Sequence, residues 1–179
     1  IFRNRVKLFD NTGTFLTTSQ DLTNASIKTN RLGDIVNSDP VYVGTDDFGY
    51  GAASTGLTST EKTSYATFRD GTDYKARPPV VYVGANDGML HGFDARINAG
   101  GAELFAYIPN ALFPELSKLT APKYKHQYFV DGLTAAGDVF FNSNNTWHTM
   151  VAGVSGAGGK VVFGLDVTNP NAIGPASAL

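Results

Sequence analysis

The tetrapeptide Val-Tyr-Val-Gly stands at residues 41–44 and again at 81–84, 40 residues apart. An apolar residue followed by Asp closes a strand-like run at Phe9-Asp10, Phe93-Asp94 and Leu165-Asp166, with offsets of 84 and 72 residues. A third strand-turn-strand unit, residues 150–166, repeats the layout of residues 80–94 around the Gly-rich turn Gly156-Ala157-Gly158-Gly159. A unit of several strands recurring every ~40–50 residues is the mark of propeller blades. A β-sandwich in which common strand tetrapeptides coincide is the competing arrangement, but strand, turn and apolar-Asp position repeat together, which favours the propeller. Insertions at 45–78 and 109–145 leave about three blades or parts of blades, short of the ~4–8 that close a ring. The fold class implied is all-β, an incomplete β-propeller ring, with residues 1–179 as one segment of it.

Runs of β-branched and aromatic residues between Gly, Asn and Asp turns place the strands. Strands are predicted at 5–9, 14–17, 41–44, 64–68 (a weaker one), 80–84, 89–94, 102–108, 127–130, 138–141, 146–154 and 160–166. Asp10-Asn11-Thr12-Gly13 and Asn86-Asp87-Gly88 are hairpin turns, where Asp bonds backbone amides two residues on and Gly supplies a positive φ. Residues 45–63 and 109–126 read as loop insertions. Within the second, residues 110–119 form a short helix, capped by Asn110 or opened by Pro114, with Leu112, Leu116 and Leu119 on one face.

Composition narrows the function. Net charge is only −2 with 17% charged residues, which argues against a nucleic-acid clamp and against a polybasic membrane surface. Hydrophobic content of 42% suffices for a packed core. Cysteine is absent, which removes disulfides, thiol nucleophiles and Cys-based metal sites and is neutral as to compartment. No apolar run reaches the ~18 residues of a membrane-spanning helix. The start, Ile1-Phe2-Arg3-Asn4-Arg5, has no Met and no signal peptide and reads as a segment excised from a longer chain.

Candidate chemistry is sparse, and the expectation is no catalytic, cofactor-binding or metal-binding residue. Asp46-Asp47 and the pair Asp70 and Asp73 offer two carboxylates each, where calcium wants six to eight oxygens from a compact loop; they read as solvated turn acids. His91, His126 and His148 are scattered with no partner His at i+2 to i+4, so a converging zinc or iron site is not expected. His91, inside a strand, is expected to pack or hydrogen-bond there. Ser155 lies in Gly153-Val154-Ser155-Gly156-Ala157, which differs from a nucleophile elbow at its fifth position and lacks the following helix. The glycines before Lys160 lead into a strand, whereas a phosphate loop must open a helix. Asp10, Asp94 and Asp166 read as turn-fixing acceptors at strand ends.

The unit Val80-Val81-Tyr82-Val83-Gly84-Ala85-Asn86-Asp87-Gly88-Met89-Leu90-His91-Gly92-Phe93-Asp94-Ala95 resembles the blade repeat of quinoprotein-like propellers. More closely, it resembles the C-terminal propeller of the PilY/PilC family of type IV pilus tip-associated proteins. The same likeness extends to Arg31-Leu32-Gly33-Asp34-Ile35-Val36-Asn37-Ser38-Asp39-Pro40, Phe105-Ala106-Tyr107-Ile108-Pro109, Tyr128-Phe129-Val130-Asp131-Gly132 and Gly164-Leu165-Asp166-Val167-Thr168. It covers nearly the whole chain from about residue 31.

The resemblance implies a bacterial surface protein of the fimbrium, associated with the outer membrane, that works with minor pilins at the pilus tip. Its implied roles are priming pilus assembly, opposing retraction, and supporting twitching motility, adhesion to a host-cell receptor and virulence. Calcium, which regulates several members through an Asp-rich loop, is implied for the full-length protein only. No Asp-x-Asp-x-Asp run occurs here, and Arg69-Asp70-Gly71 is not an Arg-Gly-Asp motif. Two alternatives stay open: a fragment of a quinone-dependent dehydrogenase and a generic scaffold propeller. Against the first, Phe105 stands where quinoprotein blades place a docking Trp, and the only Trp is Trp147.

Overall fold

The computed structural model describes residues 7–9, 28–30, 32–52, 56–98 and 101–173. Two antiparallel sheets dominate. The first is a four-stranded meander, β3 (Val41–Val43), β4 (Val80–Ala85), β5 (Met89–Asp94) and β6 (Glu103–Tyr107), adjacent in that order. The second is a three-stranded meander of β7 (Thr134–Phe141), β8 (Thr146–Val154) and β9 (Val162–Asp166). A two-stranded ribbon pairs β1 (Lys7–Phe9) with β2 (Lys28–Asn30). The expected turn at 10–13, its Asp10 and the return strand at 14–17 lie outside the described residues.

Local chemistry explains the meanders. Val80 to Ala85 pairs residue for residue with Asp94 to Met89, and the hairpin closes through Asn86-Asp87-Gly88, where Gly88 has φ +92°. The β7–β8 turn places Asn145 at φ 56°, a conformation that Asn tolerates better than most side chains. One core joins both sheets: Val80, Tyr82 and Leu90 from the first pack with Val151, Phe163 and Leu165 from the second, and with Phe129 and Val130 between them. The first strands of the two sheets, β3 and β7, lie against each other. Sheets set side by side on their leading strands are what adjacent blades require.

Five sequence expectations are corrected. Residues 64–68 are helix, not strand, because they belong to α1 (Ser59–Asp70), followed by α2 (Thr72–Ala76). Insertion 45–63 is therefore loop only as far as Thr58. There a capping box starts the helix, the Thr58 side chain accepting from the Glu61 amide while the Glu61 carboxylate accepts from the Thr58 amide. The helix at 110–119 is present but is a 3-10 helix over Asn110–Thr120, with Pro109 at its N-cap, no side-chain cap and Pro114 in its interior. Residues 127–130 form an irregular segment rather than a strand: its amides turn to a side chain and a strand end, Phe129 N to Asn86 Oδ1 and Val130 N to Ala85 O. Finally, β7 begins at Thr134, four residues before the expected Asp138.

Candidate functional site

At one end of the sheets, residues 33–38 are bound down by carboxylates far away in sequence. Asp87, in the β4–β5 turn, accepts from Gly33 N (2.8 Å) and from Met89 N (3.2 Å). Asp131, 1% exposed, accepts from Asn37 N (3.2 Å), Asn37 Nδ2 (2.6 Å) and Asn86 Nδ2 (3.2 Å). Asn86 also donates to Asp34 Oδ2 (3.3 Å), and its own amide donates to Asp34 O (3.0 Å). Ser38 Oγ accepts from Gly84 N at 2.9 Å. A side chain at Gly33 would run into the Asp87 backbone, and one at Gly84 into the carbonyl of Val130. Residues 33–38, the β4–β5 turn and residues 129–131 thus form one hydrogen-bonded latch. Three or more donors on a buried carboxylate is how such a charge is kept in the interior.

His91 extends the latch. It is 1% exposed, with Nδ1 2.5 Å from Glu103 Oε1 and Nε2 3.2 Å from both oxygens of Asp87. Burial by itself lowers the imidazole pKa, but the hydrogen bonds and charges of Asp87 and Glu103 outweigh it, and the net shift is upward. The expectation that His91 hydrogen-bonds within its strand environment is met. His126 and His148 each pair separately, with Asp34 (2.7 Å) and Asp166 (2.6 Å). Among the described residues no three His, Asp or Glu converge on a metal position.

A second attachment holds the α1–α2 insert. Tyr65 OH donates to Asp138 Oδ2 (2.9 Å), and Thr149 Oγ1 donates to Asp138 Oδ1 (2.6 Å). Arg77 donates to Thr149 Oγ1 (2.5 Å) and to Gly44 O (2.7 Å) while its guanidinium lies 3.8 Å over the Tyr74 ring. Trp147 Nε1 donates to Ser64 Oγ (3.0 Å), and its ring meets those of Tyr50, Tyr65 and Phe140 at 4.7–5.4 Å between centroids. The single Trp therefore docks the insert rather than a neighbouring blade. Burial and Asp138 push the Tyr65 phenol well above its ordinary pKa. Sequence reasoning missed Asp131, Asp138 and Arg77, although Thr58 and Glu61 at capping-box spacing marked the insert as helical.

The other candidates are scattered. Asp47 pairs with Arg69 (2.6 Å) and Asp70 with Lys75 (2.9 Å). Asp94 accepts from Arg96 N and Asp166 from Thr168 N, each at 2.9 Å, the turn-fixing bonds expected of them. Ser155 Oγ donates to Gly159 O (2.6 Å) and accepts from Val161 N (3.2 Å), closing the β8–β9 turn. Near the 109–126 insertion, Glu115, Lys118, Gln127, Tyr128 and Phe129 line an open groove of about 390 Å³.

Blade-like meanders packed on their leading strands, tied by buried polar cross-links instead of converging on a reacting centre, define a segment of a β-propeller. The family comparison gives the particular kind. Residues 32–179 match the model of the PilY1 beta-propeller domain, and the chain belongs to that family. A "Type IV pilus biogenesis factor PilY1 homolog" of Xylella fastidiosa is 44% identical over 147 residues, covering 82% of this chain and 11% of the relative. The "Type IV pilus biogenesis factor PilY1" of Pseudomonas aeruginosa is 46% identical over 145 residues, 78% of this chain and 12% of the relative. The solved C-terminal domain of P. aeruginosa PilY1 superposes with a TM-score of 0.52 at 40% identity, covering 77% of this chain and 24% of that one. The chain thus spans about a ninth of the curated relatives' length. Among the described residues no helix is long and apolar enough to cross a membrane.

Proposed function

We propose that this chain is a non-enzymatic binding module of a type IV pilus biogenesis factor, acting at the pilus tip in pilus assembly, twitching motility and adhesion. The observation that carries the proposal is family membership over residues 32–179, alongside relatives named for pilus biogenesis. The geometry supports binding over catalysis. Asp87, Asp131, Asp138 and His91, four of the buried ionisable groups among the described residues, are engaged in joining one segment to another. Minor pilins are the proposed partners, with a host-cell receptor for adhesion, at the bacterial surface in association with the fimbrium and outer membrane. Partners meet the exposed insertions: Tyr124 and Tyr128 stand out beside the groove of the second, and long loops on a rigid β scaffold are where function concentrates. Calcium binding is assigned to parts of the longer protein beyond this segment.

Deletion of the gene in its host should abolish surface pili and twitching; normal piliation in the deletion strain would overturn the proposal. Quinone titration followed by absorbance should show no binding, and tight quinone binding would favour the dehydrogenase alternative instead.

A further inference from the structure

Charge is unevenly spread over the chain. Three of its 14 Lys and Arg fall within residues 118–125, and residues 116–130 hold no Asp or Glu, although the whole carries a net charge of −2. This stretch leads from the 3-10 helix Asn110–Thr120 to the segment at 127–129, and so flanks the open groove of about 390 Å³ between that helix, that segment and the β8–β9 turn. Lys118 lines the groove beside Glu115, with which it pairs. Lys123 and Lys125 are exposed, and among the described residues neither joins an ion pair. They flank Tyr124, whose hydroxyl accepts from the amide of the lining residue Gln127 (3.2 Å), so both lysines stand at that end of the groove. Tyr124 and Tyr128 are 38% and 42% exposed, and the buried Phe129 ring lies beneath them. The walls are fixed before any partner arrives. Leu112 and Leu119 anchor the helix in the core, Phe129 N is held by Asn86 Oδ1 (2.9 Å), and a Cβ on Gly158 would run into the Phe129 carbonyl.

We propose that this groove binds an acidic peptide segment of a partner protein, with its carboxylates against Lys123 and Lys125 and an aromatic side chain against Tyr128. The proposal rests on the reading above that the chain is a binding module, and it names the chemistry of what is bound. Charge complementarity selects an acidic occupant, because two ammonium groups without carboxylates at one end of a groove attract and steer opposite charge. The rings beside those charges select a peptide, since protein interfaces are rich in Tyr and set aromatic contacts among a few placed polar groups. A concave site does not match a flat lipid surface, and Glu115 inside the groove opposes a uniformly charged polyanion. A preformed groove also saves the cost of ordering its walls on binding.

The test titrates the 179-residue chain into a short labelled peptide that alternates Asp with Tyr, read by fluorescence polarisation at low salt. Saturable binding is expected. The double variant Lys123→Glu with Lys125→Glu should weaken it by about 10-fold or more, two attractions having become repulsions. Lys75→Glu, the same kind of charge change in α2, which precedes β4, should leave it unaltered, since the groove lies by the turn at the other end of that strand. Salt near ~1 M, where the Debye length falls to about 3 Å, should weaken binding in the same sense. Tyr128→Ala should cost roughly 5-fold, the worth of an aromatic contact, and Tyr128→Phe should restore most of it. Two further titrations keep the protein unaltered: a peptide with Asn for every Asp should not bind, and vesicles of phosphatidylglycerol should not compete. Absence of binding, equal binding by the Asn peptide or by the double Lys variant, or preference for the vesicles overturns the proposal. The gene deletion described above answers a separate question: normal piliation there would end the pilus reading with groove binding intact, and a groove that binds no peptide would leave the pilus reading standing.

Discussion

Residues 33–38 and the α1–α2 insert are both fastened to the sheets by partners distant in sequence, but from different materials. The first attachment is centred on buried carboxylates, Asp87 and Asp131, with an imidazole between two acids. The second spreads over aromatic rings, with neutral donors on Asp138 and one guanidinium stacked on Tyr74. A carboxylate latch concentrates its energy in a few hydrogen bonds that cannot be replaced by water once buried. A ring-packed dock divides its energy among many contacts, each individually small. The first should therefore fail steeply at single positions and respond to pH, and the second should yield gradually.

The largest effect is expected at Asp131. Asp131→Ala removes the acceptor for Asn37 N, Asn37 Nδ2 and Asn86 Nδ2 at once and leaves the buried Asn86 amide only its long bond to Asp34, a loss of about 3 kcal/mol. Urea unfolding measures it; a loss under 1 kcal/mol would mean that the latch does not secure the fold. The matching cut in the dock is Tyr65→Phe, which keeps the ring and deletes only the hydroxyl between α1 and Asp138. It should cost about 1–2 kcal/mol. If the two losses come out equal, the contrast between the attachments disappears.

The pH response distinguishes them further. The His91 pKa is raised in the folded chain, so the folded state holds this proton more tightly than the unfolded chain, where imidazole titrates near ~6.5. The stabilisation is complete below that value and is lost as pH rises through the higher folded-state pKa. The urea midpoint should accordingly fall as pH is raised from mildly acidic through neutral, and His91→Gln should flatten that part of the curve. Identical slopes for the two proteins would exclude a charged His91 from the latch. Tyr65→Phe should leave the slope unchanged.

What could be seen in the sequence follows the same division. The β4–β5 hairpin and β6 were legible because Val80–Ala85 and Met89–Asp94 flank Asn-Asp-Gly, a local signal strong enough to fix register by itself. The turn roles of Asp94 and Asp166 were legible because the bond spans two residues. Asp131 and Asp138 were not, since their partners lie 94 and 73 residues away and nothing in the neighbouring residues announces the pairing. Residues 64–68 misled because Tyr65 and Phe68 carry strand preference, while the fate of that segment is decided upstream, at Thr58 and Glu61. Residues 127–130 misled in the opposite sense: Phe129 and Val130 are buried as a strand would bury them, but their amides are taken by Asn86 and Ala85.

The smallest effect tests that upstream decision. Thr58 accepts from the Glu61 amide, and Glu61 returns two bonds to Thr58. The Glu61 carboxyl is held below its ordinary pKa by the Thr58 side chain first and the Thr58 amide second. Thr58→Ala should cost about 1 kcal/mol, the usual worth of an N-cap, without disturbing either sheet. Because α1 is held mainly by Tyr65 and Trp147, the helix should survive the loss of its cap and fray only in its first turn. Amide exchange read along Ser59–Asp70 should accelerate at 59–62 and stay unchanged at Tyr65. Acceleration along the whole helix would show that the cap, and not the ring packing, holds the insert against the sheets.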